Sequence, residues 1–182
     1  MDLKKRRPYG VLILLALLLF CQISLASKDF DKAKIVEEQA EPSVSMAPNF
    51  SLPGLSDEIQ LSNHRGSIVY VDFWASWCAP CKKSFSWMNA MQDRYGEQGL
   101  NIIAINLDES RQEAESFLEE NPAQFSIAFD PQGSTAELYE VQGMPSSYLI
   151  GPNGEIAYRH LGFRPTDKRM LETAIEHLVS AL

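Results

Sequence analysis

The sequence predicts a layered α/β domain: a central mixed β-sheet with helices on both faces, preceded by an N-terminal β-hairpin extension. Three observations lead there. From residue 47 onward strand-like and helix-like segments alternate. Residues 68–74 (IVYVDFW) and 101–107 (NIIAINL) are almost continuously apolar, as strands covered on both faces are. A strand pair joined by Pro152-Asn153-Gly154 then leads into a last helix, so the chain opens as βαβ and closes as ββα. Right-handed crossovers put helices on both sides of such a sheet.

The elements follow in order. Residues 49–52 and 58–61 flank a Pro53-Gly54 turn and form the opening hairpin. The strand at 68–74 comes next, apolar except for Asp72. Phe85, Met88, Met91 and Tyr95 recur at spacings of three and four and mark one face of a helix that stops near Gly96 or Gly99. After the strand at 101–107, Ser110 with Glu113 forms a capping-box signature ahead of Ala114, Phe117 and Leu118, and Asn121-Pro122 stops that helix. Residues 125–129 read as a strand, and Ser134 with Glu137 repeats the signature for a shorter helix. Residues 147–150 and 156–161 form the second hairpin, and Leu171, Ala174, Ile175, Leu178 and Val179 give the terminal helix its apolar face.

Composition narrows the function classes. The 182 residues are 45% hydrophobic and 22% charged, which excludes wholesale disorder and fibrous repeats and allows a real core. With 16 Lys+Arg against 24 Asp+Glu, the formal net charge is −8. This argues against nucleic acid or an anionic membrane surface as a partner. Three cysteines are too few for a disulfide-scaffolded mini-protein, so any thiol chemistry is local.

Three regions are expected. Residues 1–26 read as a signal peptide or N-terminal membrane anchor: a basic start (Lys4, Lys5, Arg6, Arg7), an apolar run at 11–20, and small residues up to Ala26. The strictly apolar stretch is about half of the ~20 residues a membrane-spanning helix needs, and extending it to Ala26 keeps both cleavage and retention as a tether open. Bulky Phe20 speaks against lipidation of Cys21. Residues 27–46 are polar, acidic and poor in aromatics, a flexible linker. Residues 47–182 are the folded domain. Cleavage after Ala26 would leave Cys78 and Cys81 as the only thiols, in a compartment where disulfides persist.

Cys78-Ala79-Pro80-Cys81 lies just after a buried strand and at the start of a helix. Residues three apart on a first helical turn have Cβ atoms about 5–6 Å apart, slightly wider than the ~3.5–4.5 Å of a disulfide, so a small adjustment closes the bond. The first thiol faces unpaired N–H groups and the positive end of the helix dipole, which favour its thiolate. Cys78 is thus the expected nucleophile, and Cys81, one turn in and more buried, the thiol that resolves the mixed disulfide. Pro80 fixes φ and lacks an N–H, both compatible with a first turn. A zinc site would need four ligands, and His64, His160 and His177 are not in ligand spacing. A purely structural disulfide closing so short a loop gains little stability.

Here a resemblance becomes plain. VDFWASWCAPCK resembles the active-site strand-turn-helix of the thioredoxin superfamily, and Gly143-Met144-Pro145 is similar to the later loop that carries a cis proline there. The opening segment with APNFSL and the extra element at 110–129 resemble the exported TlpA/ResA-like branch. The resemblance implies a thioredoxin-like fold and a cofactor-free thiol-disulfide oxidoreductase acting on protein substrates with disulfides. It further implies recharging by a membrane-bound electron donor, in the periplasm or at the outer face of the cytoplasmic membrane. It also implies that Asp72 exchanges a proton with Cys81 through water as the disulfide opens, and that Met144 before Pro145 offers its backbone to a substrate. Pairing of Asp72 with a basic side chain is the competing reading.

Trp74 is expected in the core, whereas Trp77 is open between core and docking surface. Lys82 and Lys83 read as a solvated helix face, and His64 and His160 as structural residues without a visible partner. Two departures qualify the resemblance. Relatives dedicated to cytochrome c maturation carry an acidic residue where this chain has Ser84, and the proline usual at position 86 is Ser86. Three other readings remain open: a thiol oxidant of the same fold, a copper-handling module using the thiolates, and a thiol peroxidase, since APNF resembles the peroxiredoxins.

Overall fold

A computed structural model describes residues 45–182; the segments read as signal or anchor and most of the linker lie outside them. Strands β1 (Ser51–Pro53) and β2 (Glu58–Gln60) form the hairpin. Then follow β3 (Ile68–Trp74), α1 (Ala79–Tyr95), β4 (Leu100–Asn106), α2 (Arg111–Glu120), β5 (Ser126–Phe129), α3 (Ser134–Leu138), β6 (Ser146–Ile150), β7 (Ile156–Leu161) and α4 (Asp167–Val179). The five-stranded sheet has the order β5-β4-β3-β6-β7, with β3 parallel to β4 and antiparallel to β6. This is the thioredoxin-like mixed sheet expected from the sequence.

Alternation along β3 divides the core in two. Ile68, Tyr70 and Trp74 face α1, α2 and α4 and pack with Cys81, Phe85, Met88, Ala114, Leu171 and Ile175. Val69, Val71 and Phe73 face the other way and pack with Phe50, Leu52, Ala136 and Tyr139, from the hairpin side and α3. All seven β3 residues are buried, which is why the strand reads as a continuous apolar run. Asp72 falls between Tyr70 and Trp74 in the alternation and so lies on the α1 side.

Three local expectations are corrected. Pro53 is the last residue of β1, and the hairpin turn is Gly54–Asp57, closed by Gly54 N–H to Asp57 O at 2.8 Å. A Cβ on Gly54 would stand 2.4 Å from that same oxygen, so the turn requires glycine. Ser110 does cap α2 by position, but its side chain makes no capping hydrogen bond. For α3 the cap comes from further back: buried Asp130 accepts from the Ser134, Thr135 and Ala136 amides at 3.1, 2.8 and 3.2 Å. A carboxylate satisfying the orphan amides of a first turn outcompetes the serine hydroxyl.

Pairing with the domain begins at Ser45 and Met46, slightly ahead of the boundary at residue 47: Ile156 N–H donates to Ser45 O at 2.8 Å, and Met46 bridges Glu155. Among the described residues no helix is long and apolar enough to cross a membrane.

Candidate redox site

The chain leaves β3 at Trp74, whose carbonyl accepts from Leu107 N–H at 2.9 Å, and makes a turn over Ala75–Cys78 closed by Cys78 N–H to Ala75 O at 3.1 Å. Cys78 is the N-cap of α1, with extended backbone (φ −82°, ψ 96°), and Pro80 follows in the first turn. The first cysteine therefore stands just outside the helix rather than on its first turn, and Cys81 is three positions further on. This removes the small geometric mismatch of two fully helical positions. The two form a disulfide with Cα atoms 5.3 Å apart. Cys78 is 5% exposed and Cys81 is wholly buried. An N-cap side chain faces the unpaired amides of the first turn, so opening the disulfide would leave the Cys78 sulfur where helix-end amides favour a negative charge.

Asp72 is 1% exposed, and its Oδ2 has no hydrogen-bond partner. Among the described residues it pairs with no basic side chain, which removes the ion-pair reading. Burial pushes its carboxyl well above the ordinary value of 3.8. Its strand neighbours are Ala104 on β4 and Ser147 on β6. Burial likewise pushes the Tyr70 phenol well up, with the Asp72 charge adding to it.

Trp74 is buried, edge-on to Phe85 at 4.8 Å between centroids. Trp77 is 71% exposed, which removes the core reading for it. It borders an open cleft of about 530 Å³ together with Ser76, the α2 N-cap Ser110, and Gln112, Glu113 and Ser116 from the first two turns of α2. The Met144-Pro145 bond is cis; Met144 is half-buried, and Pro145 O accepts from Gly162 N–H at 2.7 Å. Lys82 and Lys83 are exposed, with Lys82 3.8 Å from Glu120.

Ser84 is buried and donates to Cys81 O at 2.8 Å, while Ser86 is exposed. His160, read as partnerless, pairs with Asp167 at 3.2 Å, a correction that follows from the path of the loop between β7 and α4. The sequence reading missed Ser76, Asn106 and Asp108. Asp108 is buried and accepts from Ser76 N–H at 2.9 Å, Ser76 Oγ at 3.0 Å and Asn106 Nδ2 at 2.7 Å. The available signal was an acidic residue immediately beyond a buried strand, at the sheet end where the cysteine turn also emerges.

A cysteine pair bridging the N-cap and first turn of the helix after a central strand, in a five-stranded sheet of this order, defines a thioredoxin-fold thiol-disulfide oxidoreductase. The chain belongs to the AhpC/TSA family, whose family model matches residues 44–159. It is 35% identical over 151 residues to the thiol-disulfide oxidoreductase ResA of Oceanobacillus iheyensis, covering 80% of this chain and 74% of that protein. The ResA of Bacillus subtilis is 29% identical, covering 85% of each chain. Among solved structures, a protein described as thiol:disulfide interchange protein DsbE from Chlorobium tepidum superposes with a TM-score of 0.73 at 50% identity, over 74% of this chain and 96% of that one.

Proposed function

We propose that this oxidoreductase acts outside the cytoplasm, reduces disulfides in protein substrates, and is recharged by a membrane-bound electron donor. The observation that carries the reading is the asymmetry of the pair: Cys78 at the helix end beside exposed Trp77, and Cys81 wholly buried on the sheet face that also holds Asp72. In the reduced enzyme the Cys78 thiolate attacks the substrate disulfide, forming a Cys78–substrate bond and releasing one substrate sulfur, which takes up a proton. Cys81 then gives its proton, through water, to the Asp72 carboxylate and attacks the Cys78 sulfur, expelling the second substrate sulfur. Two electrons pass to the substrate, and the enzyme is left with its own disulfide. A carboxyl whose proton affinity is raised by burial suits this exchange, taking the proton as the disulfide closes and returning it as the disulfide opens.

Trp77, Met144 and Pro145 would form the surface around the reacting sulfur, and Pro80 would hold the first turn between the two cysteines. The basic, apolar N-terminal segment supports export, either cleaved or kept as a tether. The residues Ala79-Pro80 between the cysteines resemble the reducing members of the superfamily.

The test is trapping in vivo with Cys81→Ala, which should strand exported substrates as mixed disulfides on Cys78, with none on a Cys78→Ala control. Equilibration with a glutathione buffer fixes the direction, since about 30 mV corresponds to ~1.4 kcal/mol for a two-electron couple. A potential above that of the substrates would replace the reductant by an oxidant.

A further inference from the structure

Four residues, Ala75 to Cys78, separate the end of β3 from the start of α1; Cys78 O accepts from Cys81 N–H at 3.0 Å at the helix start, and two further ties hold the turn itself. One is internal, the Cys78 amide on the Ala75 carbonyl at 3.1 Å. The other comes from a different part of the chain. The Asp108 carboxylate, just past the end of β4, accepts the Ser76 amide with both oxygens, at 2.9 Å and 3.2 Å, and the Ser76 hydroxyl at 3.0 Å. Asp108 is itself held: Oδ2 accepts from Asn106 Nδ2 at 2.7 Å, and its own amide donates to Asn106 Oδ1 at 3.1 Å. Asn106 is buried and is paired with Trp74 across the sheet. A buried carboxylate is retained only where donors compensate its desolvation, and here the donors are the cysteine turn and the sheet end beside it.

We propose that Asp108 is a positioning residue of the redox centre: by clamping Ser76, it holds Cys78 at the N-terminus of α1 once the disulfide no longer does. In the oxidised protein the Cys78–Cys81 bond fixes the first cysteine covalently. In the reduced protein that restraint is gone, and the favourable field of a helix end falls off within one turn. A turn free to relax would carry the sulfur away from the amides that favour its thiolate. The inference rests on the reading of Cys78 as the attacking thiolate.

The experiment follows the alkylation rate of Cys78 against pH in the reduced full chain, using iodoacetamide, in wild type, Asp108→Ala and Asp108→Asn. Asparagine can keep an acceptor on the Ser76 and Asn106 amides and turn its own NH2 toward the Ser76 hydroxyl, so it preserves the clamp while removing the charge. Alanine removes both. Positioning predicts that Asp108→Ala moves the Cys78 profile to higher pH and slows alkylation at pH 6 by roughly threefold to tenfold, a fraction of the strength of a charged hydrogen bond, while Asp108→Asn stays close to wild type.

If both variants instead react faster, Asp108 acts only as a nearby negative charge, and the inference fails. If Asp108→Ala lowers Tm but leaves the profile unmoved, the clamp is merely structural, and the inference fails as well. Should Asp108→Ala not fold, Asp108→Ser offers Asn106 a polar partner but is too short to hold Ser76, and it carries the same expectation. A wild-type Cys78 less reactive than Cys81 would overturn the attacking-thiol reading itself, a result distinct from any effect of Asp108.

Discussion

The hydroxyl of Ser84 donates to the carbonyl oxygen of Cys81 at 2.8 Å, from a position buried beneath the first turns of α1. Here a small neutral side chain is satisfied by its own helix. Ser84→Glu would place a second carboxylate in this apolar layer, against Cys81. Burial would raise its pKa above that of the unfolded chain, so the variant should lose stability progressively as pH rises from about 4. Thermal melts from pH 4 to pH 8 check this, with Ser84→Ala expected to show a small and pH-independent loss of about 1 kcal/mol.

Asp72→Asn separates stability from turnover. A carboxyl raised above 3.8 by burial binds more protons in the folded than in the unfolded state, so its contribution is most favourable below the unfolded value and is lost as pH rises through the folded value. The variant should therefore be more stable than wild type at pH 7, by about 1–3 kcal/mol for relief of an uncompensated buried group, and the difference should vanish near pH 4. Insulin reduction should be slower with the fold intact; unchanged turnover would remove Asp72 from the proton exchange.

Trp77→Ala tests docking. A side chain so exposed contributes little to folding, and the change in stability should stay within about 0.5 kcal/mol. The KM for a protein disulfide should rise, while reaction with a small disulfide such as hydroxyethyl disulfide should be unaffected. Equal effects on both would mean that Trp77 acts on the thiol rather than on the substrate.

Phe85→Ala probes the packing under the site. Phe85 meets Trp74 at 4.8 Å, Phe117 at 5.1 Å and Phe125 at 5.3 Å, joining α1, β3, α2 and the segment before β5. Its truncation should cost about 3–5 kcal/mol in denaturant melts.

Much of this was legible because the signals are periodic or local. The strand at 68–74, the helix face Phe85–Met88–Met91–Tyr95 and the cysteine spacing each follow from one stretch of chain, and all are found in the structure. What escaped was capping, clamping and pairing by acids, of which Asp108 alone is far in sequence from what it holds. Asp130 caps α3 in place of Ser134, Asp108 grips Ser76 across 32 positions of sequence, and Asp167, at the start of α4, pairs with His160 of β7 across the loop that joins them. A carboxylate gains most where several donors converge, and no sequence period marks that convergence.

By itself, then, the sequence determined the order of elements, the two-sided burial of the central strands and the chemistry of a cysteine pair at a helix start, since each is set by short-range periodicity and backbone geometry. The tertiary structure alone decided that Asp72 has no basic partner among the described residues, that Trp77 stands in solvent and that Asp108 holds the cysteine turn. Those facts depend on which distant groups folding brings together and which it keeps from water.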